Sequence, residues 1–339
     1  MLFLRQDKRH SDVAERQEKM RTGWRDRTHP KGGSEKSLVH RLWKQRGMQA
    51  MVLPGVILLF LFSYLPMYGV LIAFKDYRII NTVWNAPWAS NGGFEHFIRF
   101  FSDGNLLRVV RNTLTLSISS LLITFPIPIA FALLLNEIRM PRLKRSIQTM
   151  TYFPHFLSWV VMGGIVISWL SEGGLINDVL KAAGIIEKDI VFLAKPELFY
   201  PIVIITNIWK ETGWSAIIYL AAITGVDPEL YESATIDGAG RLKKAWYITL
   251  PCIKGTVVLM LIMQIAYLFG NNFDQILVLR NSLNQEVSDV IDIFVYRQGL
   301  QGQNYSYATA IGLFRSVINV ILLFSANTFA KKYADTSIF

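Results

Sequence analysis

The sequence predicts an all-α integral membrane protein with six transmembrane helices and both termini in the cytoplasm. Three observations lead there. The hydrophobic residues, 52% of a 339-residue chain, are concentrated in long blocks without charge. A strongly basic segment precedes the first block, and the loops between blocks differ in their charge balance. A soluble all-helical chain of this composition would give its buried helices polar outer faces, which these blocks lack.

The blocks set the elements in order. Residues 47–74, 112–136, 146–171 and 255–273 contain no Asp, Glu, Lys or Arg, 198–226 is broken only by Lys210-Glu211, and 298–330 only by Arg315. A helix needs about 20 such residues to cross a hydrocarbon core. The expected spans are 49–74, 110–136, 150–171, 199–223, 252–274 and 308–330. Within them Pro126-Ile127-Pro128 and Phe153-Pro154 interrupt helical hydrogen bonding and predict bends.

Orientation follows the basic residues. Residues 1–47 carry thirteen Lys/Arg against six Asp/Glu, an excess of seven in a chain of net charge +10. This stretch is expected to be a mostly disordered cytoplasmic tail attracted to anionic lipid headgroups. It lacks the aromatic interleaving of a nucleic-acid-binding segment, and the apolar run after it starts too late for a signal peptide. Loop 137–149 has Arg139, Arg142, Lys144 and Arg145 against Glu137 alone, whereas loop 172–198 has three basic and five acidic residues. The last span is followed by Lys331-Lys332. The expected organisation is a tail at 1–47, a six-span domain at 48–331 and a short cytoplasmic C-terminus at 332–339. Loop 225–251 falls on the cytoplasmic side.

That loop is charged but built to fold. Asp227 is placed to cap a helix that Pro228 and Glu229 begin, running to Thr235. Gly238 permits a close turn, and Asp237 is expected to cap a second helix over 238–247. Small residues Ser233, Ala234, Gly238 and Ala239 leave a slim surface on which Glu232 presents a charge.

The spacing Glu232-Ser233-Ala234, three residues, Gly238, nine residues, Ile248, one residue, Leu250-Pro251 resembles the cytoplasmic signature of ABC importer permeases. The only departure is Ser233, where that family has Ala. The resemblance to the sugar-importer branch covers roughly residues 50–330, and the stretches GNNFDQILVL (270–279) and YSYATAIGLFRSVIN (305–319) are similar to permeases for oligosaccharides from plant or algal polysaccharides. It implies a coupling helix between spans four and five that docks on an ATPase subunit, with Glu232, Ser233, Ala234, Asp237, Gly238 and Ala239 forming the docked face. It further implies an ATPase pair, a second permease subunit, an extracytoplasmic sugar-binding protein and a bacterial cytoplasmic membrane as the setting. Peptides or phosphate-type solutes are the alternative cargo, and a membrane scaffold acting through the basic tail is the alternative class.

The chain's own chemistry agrees. It has no Gly-x-x-x-x-Gly-Lys-Ser/Thr phosphate loop, so ATP and Mg are expected on a separate subunit and no cofactor on this one. The single Cys252 excludes an internal disulfide or Cys cluster and predicts simple packing. The five His residues show no metal-ligand spacing, and no catalytic or metal-binding residue is expected. His155, alone in an apolar span, is expected to be packed or hydrogen-bonded.

Charges within spans usually face an interior or a pathway. Candidate pathway residues are Trp209, Glu211, Trp214, Asn271, Asn272, Asp274, Gln275 and Arg315. Asn207, Tyr219, Gln264 and Tyr267 fall at similar depth. Amides and aromatic faces in such a lining suit sugar hydroxyls and ring C–H patches. A structural reading of the same charges pairs Arg315 with Glu211 or Asp274. The polar segment 277–306 is expected outside, as a binding-protein contact or a solvated loop.

Overall fold

The computed structural model describes residues 45–270, 272–334 and 336–338. Among these the chain is helical, with no β-strand beyond an isolated pairing of Lys75 with Trp88. It divides into two units, Met1–Tyr68 and Gly69–Phe339. Most of the basic tail predicted at 1–47 lies outside the described residues.

Helix α1 (Arg46–Leu59) continues through a π-helical turn, Phe60–Tyr64, and a 3-10 segment, Leu65–Phe74, as one apolar run. An amphipathic α2 (Glu95–Ser102) follows. Helices α3 (Leu106–Thr124) and α4 (Pro126–Asn136) together form a 31-residue apolar run, interrupted at the predicted Pro126 position. Then come α5 (Pro141–Tyr152), α6 (Trp159–Leu170), α7 (Leu175–Ala182) and the 29-residue α8 (Pro196–Thr224). The hairpin is α9 (Pro228–Ile236) and α10 (Arg241–Cys252). The chain ends with α11 (Lys254–Ala266), α12 (Phe273–Leu279), α13 (Gln285–Ser288), α14 (Ile291–Tyr296) and α15 (Tyr305–Ala334).

Among the described residues, four helical runs are long and apolar enough to cross a membrane: Arg46–Phe74, Leu106–Asn136, Trp159–Ala182 and Tyr305–Lys332. A fifth is obtained if α10 and α11, bent by 67°, count as one. Helix α8 is long enough, but Asn207, Lys210 and Glu211 at its centre leave it less apolar than these.

Two predicted spans are redrawn. The third, 150–171, is broken: α5 begins in what was expected to be a loop, and the chain passes through a 3-10 turn, Phe153–Phe156, to an extended Leu157. Pro154 has no N–H to continue the ladder, and Ser158 starts α6 by accepting from Val161 N. The fifth, 252–274, stops at Ala266, and its start is kinked at Ile253, two residues after Pro251.

Helix α8 forms the spine. Its residues Phe199, Ile202 and Val203 pack with Ile276, Leu279, Val290 and Ile293 in one core, and Ala216, Tyr219, Leu220 and Ile223 pack with Ala132 and Leu135 in another. Gly213 allows the close approach of α5, since a Cβ there would lie 2.2 Å from the Thr151 carbonyl oxygen. A third core joins Phe100, Val109, Phe294, Tyr307 and Ile311.

Segment 277–306 is not a solvated loop. Asn284, Asp289, Ile291 and Ile293 are fully buried. Asn112 Nδ2 donates to the carbonyls of Glu286 and Asp289, and Ile291 N donates to Thr113 Oγ1. Asp289 Oδ2 meets Arg297 Nη2 at 2.8 Å. Burial pushes the Asp289 carboxyl above its usual value, against the opposing pull of Arg297, Arg280 and Arg108. The solvated-loop alternative fails because the Asn284 side chain satisfies backbone groups of Leu193 and Leu279, and the Asp289 carboxylate pairs with arginine, rather than facing water. Cys252, expected to be packed, is free and exposed.

Candidate functional site

Helices α3, α8, α11 and α12 converge on a cavity of about 340 Å³. Asn207 from α8 and Gln264 from α11 line it, with Tyr267 and Gly270 from the irregular link after α11 and Asn272 and Gln275 around the start of α12. Helix α3 adds Ser117, Ser120 and Thr124. No lining residue is formally charged. Gln275 is completely buried, and its Nε2 donates to Val203 O and Thr206 Oγ1, both at 2.8 Å. Asn272 Nδ2 donates to Asn207 Oδ1 at 3.1 Å and Gln275 Oε1 at 3.3 Å. The Asn207, Asn272 and Gln275 amides of the wall are therefore positioned by one another. Hydroxyls and amides of this kind can exchange hydrogen bonds with a polyhydroxylated solute, while Leu116, Leu121 and Met263 supply apolar contact.

Of the eight predicted pathway residues, the structure brings Asn272 and Gln275 to this cavity, and Asn271 lies outside the described residues. Trp209 stacks on Trp169 at 5.5 Å and lines a separate apolar depression with Val166 and Ile202. Glu211 and Trp214 gather around the break between α5 and α6: Glu211 Oε2 is 2.8 Å from His155 Nδ1, and the Trp214 ring lies parallel to the His155 ring at 4.5 Å. Lys210, only 5% exposed, donates to His155 O at 2.6 Å and lies 3.5 Å from Glu211. Arg315 pairs with Asp292 rather than with Glu211 or Asp274, and Asp274 is exposed at the start of α12. The expected ion pairs across the spans are thus replaced by more local ones. Tyr219 is buried in the α4–α8 core, away from the cavity lining.

The hairpin folds as the residues dictate, with one change. Asp227 Oδ1 accepts from Glu229 N at 3.0 Å and caps α9, as expected. Asp237, however, terminates α9 instead of capping the next helix. Gly238, at φ 74°, takes the left-handed conformation that the helix end requires, with Ala239 N donating to Ala234 O at 2.8 Å and Gly238 N to Thr235 O at 3.1 Å. Gly240 then precedes α10. Tyr231 Oη and Thr249 Oγ1, 2.9 Å apart, tie the two arms together, and Arg241 lies 3.5 Å from Glu137 at the end of α4. Glu232, Ser233, Asp237 and Gly238 are exposed, Ala234 and Ala239 half-buried. Ile236 and Leu242 flank the turn at 87% and 86% exposure, so the hairpin offers apolar as well as charged surface.

Residues 125–335 match the model of the family described as "Binding-protein-dependent transport system inner membrane component". The chain belongs to this family. It is therefore a multi-pass membrane transport component rather than an enzyme. It is 43% identical over 306 residues to the "Polygalacturonan/rhamnogalacturonan transport system permease protein YteP" of Bacillus subtilis (strain 168), covering 90% of this chain and 94% of that one. It is 41% identical over 298 residues to "Protein LplB" of the same organism, covering 88% and 92%. Among solved structures, a chain of a bacterial alginate ABC transporter, crystallised in complex with an alginate pentasaccharide-bound periplasmic protein, superposes with a TM-score of 0.81. It is 38% identical, over 89% of this chain and all of that one. This family member thus combines an uncharged polar cavity with an exposed charged hairpin.

Sequence reasoning missed the α3 wall of the cavity. Ser117, Ser120 and Thr124 sit in a charge-free block, but their spacing of three and four places them on one helical face.

Proposed function

We propose that this chain is a membrane-spanning permease subunit of an ATP-driven importer for oligosaccharides delivered by an extracytoplasmic binding protein. The observation that carries this reading is the near-full-length similarity to permeases named for polygalacturonan/rhamnogalacturonan and alginate transport. The hydroxyl- and amide-lined cavity supports it, because such a wall suits neutral sugar hydroxyls better than a phosphate group.

In this reading six spans cross a bacterial cytoplasmic membrane, the central part of α8 supplying the fourth and the bent α10–α11 pair the start of the fifth. Both termini are cytoplasmic. Residues 1–47 form the basic cytoplasmic tail, 48–331 the six-span domain and 332–339 the C-terminal segment. Asn272 and Gln275 contact cargo, while Trp209, Glu211, Trp214, Asn271, Asp274 and Arg315 line or shape its route. The hairpin, through Glu232, Ser233, Ala234, Asp237, Gly238 and Ala239, docks on a separate ATPase subunit that uses ATP and Mg, and this chain binds no cofactor. A second permease subunit completes the path, since one set of helices cannot readily enclose a gated channel for a large solute.

The test is uptake. Cells lacking this chain should fail to import pectin- or alginate-type oligosaccharides and regain import with the wild-type chain. Gly238→Val forces a β-branched residue into the left-handed region, at a cost of about 1–2 kcal/mol, and should abolish uptake while the chain still inserts. Undiminished uptake with this variant, or unchanged import without the chain, refutes the reading. A scaffold acting through its basic tail would be indifferent to it.

A further inference from the structure

A second, larger depression of about 630 Å³ lies apart from the central cavity, between residues 76–80 and 303–307 and beside α2. Its lining differs in chemistry, since it includes two arginines, Arg78 and Arg99. Arg78 is exposed and makes no ion pair among the described residues. Arg99 lies over the Tyr307 ring at 4.5 Å, which holds its guanidinium at the wall without using its outward donors. Asp76 is engaged by His96, Oδ1 to Nε2 at 3.0 Å. The other imidazole nitrogen of His96, Nδ1, is buried and without a partner, and His96 also lines the depression. Tyr77 and Tyr305 pack edge to face at 6.0 Å, and Tyr77 N donates to Ser306 Oγ, so the aromatic part of the wall is fixed. The site therefore offers fixed aromatic surface, amide groups on Gln303 and Asn304, and two arginines against one lining acid, Asp76, which His96 already engages, while Asp103 bonds Tyr307 beside Arg99 from outside the lining.

We infer that this depression binds the carboxylate of an acidic sugar residue, such as a uronate, at the outer mouth of the route. The inference rests on the oligosaccharide-importer reading above, in whose topology 76–80 and 303–307 both follow outward crossings. Two guanidinium forks match carboxylates through paired N–H donors, and tyrosine edges and faces accept a sugar ring. The central cavity has no cation with which to balance such a carboxylate. Charge is therefore recognised before the cargo reaches that cavity, and Arg78 and Arg99 set the preference for acidic over neutral chains.

The experiment uses the chain purified from native membranes with its accompanying subunits, without binding protein, titrated calorimetrically with trigalacturonate and with its carboxyl-reduced, neutral counterpart. Wild type should bind trigalacturonate at least tenfold more tightly than the neutral form, and Arg78→Ala/Arg99→Ala should erase that preference. Arg78→Ala alone, at an exposed side chain with no ion pair, keeps the fold intact and should weaken trigalacturonate binding several-fold. Equal binding of the two sugars by wild type, or an unchanged affinity in the double variant, overturns the inference. So does a double variant that keeps its trigalacturonate affinity but no longer co-sediments with the binding protein, because the arginines then seat an acidic side chain of that protein. Failure of oligosaccharide uptake in cells would refute the importer reading separately, since the titration reads the arginine site directly.

Discussion

Lys210 shows how a charge inside an apolar helix is made tolerable. Its ammonium is buried against α5, donates to the carbonyls of Pro154 and His155, lies 3.5 Å from Glu211 and sits 5.6 Å from the Trp159 ring centre. The His155 carbonyl is available because the helix breaks at Phe153–Leu157, whereas Pro154 O also accepts from Leu157 N at 3.2 Å, so the buried cation and the helix break are one feature. Lys210→Met would leave the His155 carbonyl without its donor and Glu211 without the neighbouring ammonium. Loss of a charged hydrogen bond of this kind costs about 1.5–3 kcal/mol. Thermal unfolding in detergent should record a clear drop in Tm, whereas an unchanged Tm would mean that water replaces the ammonium at little cost. At this scale the sequence was partly legible. The amides Asn207, Gln264, Asn272 and Gln275 stood out as polar groups attached to apolar runs, and they do meet at the cavity. The partners of Glu211 and Arg315 were not legible, because side-chain pairing depends on how the helices are rotated, which one sequence does not disclose.

Among the elements, the α9–α10 hairpin was the most legible in sequence. Asp227, Pro228 and Gly238 each dictate a local backbone state, so the turn follows without reference to the rest of the molecule. The spans were legible as apolar blocks but not as straight helices: prolines marked the breaks, while the length of each interruption depends on the surrounding packing. Segment 277–306 was the least legible, since its polar residues serve an interior. Asp289 gives that segment a measurable signature. Its ionised form is disfavoured by burial in the folded protein, so the folded pKa exceeds the unfolded value of 3.8. The contribution to stability is complete below about pH 3.8 and is lost as pH rises through the raised folded value. Asp289→Asn removes this titration. The stability of wild type relative to Asp289→Asn should therefore fall as pH is raised above 3.8, read from unfolding at each pH. A pH-independent difference would show that Arg297 and Arg108 fully offset the burial.

For the whole molecule, the central claim is that a polar cavity among the apolar helices is worked through an exposed hairpin by an ATPase on another chain. Glu232 and the neighbouring Ile236 are both exposed on that hairpin, and Arg241 links it to Glu137 at the end of α4, so a force applied at the hairpin has a direct contact with the bundle. Removing one charged contact worth about 1.4 kcal/mol weakens an association roughly tenfold. The most direct measurement is mild-detergent purification of wild type and Glu232→Ala from native membranes, with accompanying chains quantified by mass spectrometry. An ATPase subunit and a second permease that accompany wild type, with the ATPase reduced about tenfold in Glu232→Ala, are the predicted result. A wild-type chain that brings no ATPase, or a variant that holds it as well as wild type, would contradict the claim.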